Sequence, residues 1–94
     1  MRIDAVEIYS DQTNAAVLRH PGRRFPGVLV QGDTLYSMCQ AADIICESSR
    51  GALSEEDQAE LNNLRDHLWE LLVHYKLVLT EHEIELPFSE QPRA

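Results

Sequence analysis

The chain has 94 residues, the size of one domain, and its 44% hydrophobic and 26% charged content supports a single core and excludes disorder as its overall class. Its net charge of −8 is lopsided: residues 1–32 carry +1 and residues 33–94 carry −9, a balance that repels nucleic acid and anionic membranes and attracts a basic protein surface. No apolar run approaches the roughly 20 residues that span a bilayer, and the acids among Met1–Glu7 leave no apolar stretch for a signal peptide, so a cytoplasmic location is expected.

Residues 1–31 read as β-rich. Ile3 to Tyr9 alternates and is enriched in β-branched and aromatic side chains, Ser10 to Asn14 is a turn cluster, and Ala15 to Arg19 is the return strand. His20-Pro21-Gly22 breaks that strand. After Arg23-Arg24-Phe25-Pro26-Gly27 comes a short apolar strand, Val28 to Gln31, whose pairing partner is not readable from sequence.

A helix over residues 34–50 is predicted next. Asp33 or Thr34 can cap it, and Leu35, Met38, Cys39, Ala42, Ile45 and Cys46 follow helical spacing on one face. Gly51 is placed for a left-handed terminus. A longer helix over 54–80 opens at Ser54 with Glu55, Glu56 and Asp57 in its first turn, where the backbone dipole favours anions. Leu61, Leu64, Leu68, Leu71, Leu72, Tyr75 and Leu79 form its apolar stripe. Residues 81–94 are an extended tail, either adding a strand or lying along the surface, with Glu90 to Ala94 expected to fray. With no linker or repeat, the whole chain is read as one α+β domain: a small antiparallel sheet of two to three N-terminal strands packed against two antiparallel helices.

Few residues point to chemistry. Arg19, Arg23 and Arg24 lie close in sequence, and their guanidinium forks suit a carboxylate or phosphate; the alternative is a solvated loop paired with the chain's own acids. His67 and His74, with Asp66 and Glu70, fall short of the three or four convergent ligands that a tight zinc site needs, so neither metal nor cofactor is expected. Cys39 and Cys46 sit on the apolar stripe of their helix as reduced packing thiols, and burial there leaves a thiol inert. No nucleotide or nucleophile motif is present, and no enzyme is predicted. Phe25 and Trp69 are the aromatic candidates for anchoring a partner.

The segment Val6-Glu7-Ile8-Tyr9, followed by Arg19-His20-Pro21-Gly22-Arg23-Arg24-Phe25-Pro26-Gly27-Val28-Leu29-Val30-Gln31-Gly32-Asp33, resembles the opening of a family of short, uncharacterised bacterial proteins. The resemblance continues into Leu35-Tyr36-Ser37. It implies a bacterial cytosolic protein and supplies no activity or catalytic residue.

The leading expectation is a small, acidic, protein-binding module. It would neutralise a basic partner, as cytosolic immunity proteins and inhibitors of bacterial toxins do, with Glu55, Glu56, Asp57 and Glu60 steering that partner. The alternatives are an anion or small-molecule sensor built on the Arg19–Arg24 loop, and a structural subunit of a homodimer or larger assembly.

Overall fold

The computed structural model describes residues 1–93. The element order is β1 (Glu7–Ser10), β2 (Ala16–Arg19), β3 (Gly27–Leu29), α1 (Gly32–Ser48) and α2 (Glu55–Glu81), an α+β arrangement. The chain divides into two compact units, the first covering Met1–Gln31 and the second beginning at Gly32.

The first unit is an antiparallel sheet in the order β1-β2-β3, so the third strand pairs with the second. Ile8 faces Leu18 across β1 and β2, while Leu18 faces Gly27 and Ala16 faces Leu29 across β2 and β3. Because paired residues share a face and alternate residues along a strand do too, Ile8, Leu18, Ala16 and Leu29 form one apolar face. The register shifts between Ile8 and Ser10, a bulge that interrupts the alternation at Tyr9. No residue in the first unit is buried. A unit of this size is too small to enclose a core of its own.

The second unit is built on the α1–α2 pair. Ser54 caps α2, its hydroxyl accepting a bond from the Asp57 N–H at 3.1 Å, as the Ser-Glu-Glu-Asp run predicts. Gly51, at φ 79°, takes the left-handed conformation that turns the chain between the helices. The start of α1 differs from expectation. The helix begins at Gly32, and Asp33 lies within its first turn, its Oδ1 accepting from the adjacent Thr34 N–H.

The core comprises Leu35, Tyr36 and Cys39 of α1 and Leu72 of α2, with Leu68, Trp69, Tyr75 and Phe88 packed around it. Both helices bury a narrower stripe than their apolar spacing predicts. Leu64 and Leu71 of α2, and Met38 and Ile45 of α1, are exposed. The α2 leucines spread over more of the helix circumference than one partner helix covers, so only the line through Leu61, Leu68, Leu72 and Leu79 turns inward.

Of the two placements expected for the tail, it takes the second: it forms no strand among the described residues and lies along the second unit, and Glu90 to Arg93, expected to fray, make contacts with the helices. Phe88 stacks on Tyr36 with ring centroids 4.2 Å apart, Lys76 pairs with Glu90, and Gln91 and Arg93 are hydrogen-bonded to α1. Ala94 lies outside the described residues. No helix of the described residues is long and apolar enough to cross a membrane.

Candidate functional site

Asp43 and Trp69 face each other across the helix pair because each sits about one step off the buried line of its own helix, on the same side of the hairpin. The Trp69 Nε1–H donates to Asp43 Oδ1 at 3.0 Å, which fixes the carboxylate's orientation. Arg93 completes the group. Its Nε donates to Asp43 Oδ2 at 2.9 Å and its Nη2 to Oδ1 at 2.8 Å, a two-pronged pairing, and its guanidinium carbon lies 4.0 Å from the Trp69 ring centroid.

Beside this pair, the Tyr36 hydroxyl accepts from the Gln91 backbone N–H at 2.6 Å and from Gln40 Nε2 at 3.2 Å. Tyr36, Gln40, Asp43, Ile44 and Trp69, together with Gln91, Pro92 and Arg93 of the tail, line a pocket of about 180 Å³. The Arg93 hydrogen bonds hold the Asp43 carboxyl below its ordinary pKa; partial burial opposes them and the Trp69 indole adds to them. The same bonds raise Arg93.

Trp69 also borders a second, more open concavity on α2, of about 460 Å³, lined by Asp66, Trp69, Glu70, Val73, His74 and Leu77. Its apolar residues are half-exposed, Val73 at 48% and Leu77 at 58%. Glu55, Asp66 and Leu77 are spaced eleven residues apart, about three helical turns, so this flank of α2 runs from acidic near its N-terminus to apolar near its C-terminus.

The residues singled out from sequence fall in several places. Glu55, Glu56, Asp57 and Glu60 are all exposed on the first turns of α2; Glu55 and Glu56, about five turns before the groove residues Val73 and His74, share its flank, and Asp57 and Glu60 do not. Trp69 is half-buried and packs at the core margin while bordering both concavities. Arg19, Arg23 and Arg24 have three different surroundings. Arg19 pairs through Nε with Glu7 and donates from Nη1 to the Arg23 carbonyl at 2.9 Å, whereas Arg24 lies over the Phe25 ring at 5.3 Å. Arg23 closes the turn, its N–H donating to the His20 carbonyl at 2.9 Å. Phe25 is 70% exposed and, with Leu18, His20, Arg23 and Val28, borders a shallow depression on the first unit.

Both cysteines are buried and free, and burial pushes the Cys39 thiol up. Among the described residues, no group of three or more His, Cys, Asp or Glu side chains is arranged to hold a metal ion.

Sequence reasoning missed Asp43 and Arg93. Asp43 reads as polar-side among its neighbours Gln40 and Glu47, although its spacing of four residues from Cys39 and three from Cys46 puts it at the edge of the buried face, and Arg93 lies in a segment expected to fray. The available signal was the apolar alternation of Ile84, Leu86 and Phe88, which marks a tail able to dock.

Fold and site together define a small α+β protein with an acid-flanked apolar groove on a long helix and a carboxylate–indole cradle next to it. Residues 1–88 match a family described as "Family of unknown function (DUF6959)", and the chain belongs to that family. No curated protein and no solved structure matched the chain.

Proposed function

We propose that this protein is an acidic binding module that covers a basic protein surface, and that the α2 groove bordered by Trp69 receives the partner. The observation that supports this reading is the pairing of exposed apolar side chains, Val73 and Leu77, with the carboxylates of Asp66 and Glu70 in one concavity. An apolar floor supplies affinity through burial, and the acids select a segment carrying Lys or Arg beside its apolar residues. Glu55, Glu56, Asp57 and Glu60 extend the negative field along the helix and steer the approach. If the partner is a basic bacterial toxin, the role is that of a cytosolic immunity protein. The test compares proteins retained from lysate by the tagged wild type with those retained by an Asp66→Lys/Glu70→Lys variant. One stoichiometric basic protein held by the first and lost by the second supports the reading. Equal retention by both removes the groove from it.

A second reading, self-association, rests on the opposite flank of the helix pair. There Met38, Ile45, Leu64 and Leu71 are exposed, and helical spacing places no charged side chain between them. In a chain of net charge −8, this apolar strip, whose nearest charges on the same face of α2 are Asp57 and Glu60 about one to two turns before Leu64, suits a second copy better than a basic protein. A molecular mass that stays monomeric across concentrations would exclude it.

A further inference from the structure

We infer that Asp43 and Trp69 form a recognition site for an arginine side chain, filled in cis by Arg93 and open to an arginine of a basic protein segment once the tail is displaced. The inference deepens the binding-module reading and rests on it for the nature of the partner.

The pairing has the three elements that guanidinium recognition requires. One is a carboxylate that accepts two N–H bonds, at 2.8 and 2.9 Å. The second is an aromatic face, 4.0 Å from the guanidinium carbon. The third is pre-orientation, because the indole N–H donates at 3.0 Å to Oδ1, the oxygen that also accepts from Arg93 Nη2, and so fixes the carboxylate's direction independently of the guanidinium. Lysine offers no planar fork and satisfies this geometry poorly.

The occupant is accessible to a competitor. The Arg93 side chain is 51% exposed, and besides its own pairing the tail is held by the Phe88 stack, the Gln91 bond and the Lys76–Glu90 pair. Trp69 forms a wall of both the cradle and the α2 groove. A partner segment lying in the groove therefore brings its basic side chains next to Arg93, and an arginine there competes with the tail for Asp43.

Trp69 is the only tryptophan, so its emission reports occupancy of the cradle. The experiment titrates a synthetic peptide of residues 86–94 into the full chain, as wild type and as a Phe88→Ala/Arg93→Ala variant. A peptide with citrulline at its arginine serves as a neutral isostere. The variant is expected to bind the arginine peptide at least tenfold more tightly than wild type, and the citrulline peptide at least tenfold more weakly than the arginine peptide. Equal affinity of the two proteins, or of the two peptides, overturns the inference. Should the double variant lose its helical circular dichroism, the Arg93→Ala single variant, with Phe88 and Gln91 still holding the tail, is read by the arginine–citrulline difference alone, a tenfold preference supporting the inference and equal affinity overturning it. Peptide binding without any basic protein retained from lysate leaves the arginine site standing and removes the binding-module reading. A basic partner bound equally by wild type and Arg93→Ala overturns competition by the tail while leaving that reading intact.

Discussion

Gly32 sits where the Tyr75 ring leaves no room for a side chain: a Cβ placed there would lie 2.3 Å from the ring Cζ and hydroxyl. The Gly32→Ala substitution should therefore destabilise the second unit by about 1–3 kcal/mol, the usual range for an overpacked site, as read by denaturant melts. Adding Tyr75→Leu should restore part of the loss; no recovery would locate the strain elsewhere. At Asp43, the lowered carboxyl contributes stability above its unfolded pKa of about 3.9, and that contribution disappears as pH falls through the lower folded value. Wild type should thus lose more melting temperature below about pH 4 than Asp43→Asn does, and equal acid sensitivity would contradict the pairing with Arg93. Cys39 is fully buried with its thiol pushed up, so an alkylating reagent should modify it only after denaturation. Native labelling at neutral pH would mean that α1 opens. Gly32 was legible only as part of a helix start signal, because its contact with Tyr75 joins positions 43 residues apart.

The two ends of α2 show what a sequence pattern can and cannot reveal. Its start was legible since Ser54 and the acids behind it satisfy local N–H groups without help from the rest of the fold. Replacing Ser54 with Ala should cost about 1 kcal/mol in thermal or denaturant unfolding. The end was placed by the loss of apolar period, and its chemistry was hidden. Glu83 has φ 57°, its N–H donates to the Thr80 carbonyl at 3.2 Å, and the Ile84 N–H donates to the Leu79 carbonyl at 2.9 Å. These are the paired bonds of a helix terminus that normally carries glycine at its left-handed position. Glu83→Gly should accordingly stabilise the protein by about 0.5–1 kcal/mol, since it relieves the left-handed conformation, and a lower melting temperature would contradict that account. In the sheet, the three strands were legible from composition and turns, but their order was not, because register depends on contacts between distant segments.

At the scale of the whole molecule, charge is what the sequence expressed most directly and the site least. The acidic second half is visible in the residue string, yet which acids adjoin apolar surface depends on how α2 is rotated against α1. That rotation turns Asp66 and Glu70 beside Val73 and Leu77, and leaves Asp57 and Glu60 on another flank. The tail could not be placed from sequence, since the stack of Phe88 on Tyr36 and the Arg93–Asp43 pair span 50 residues or more. The central claim is that the acid-bordered surface of α2 receives a basic partner. It is tested most directly by the association rate of the retained basic protein with wild type and with a variant reversing Glu55, Glu56, Asp66 and Glu70, at low and at physiological salt. The account predicts slower association for the variant and a flatter salt dependence. An unchanged rate at both salt concentrations would contradict it.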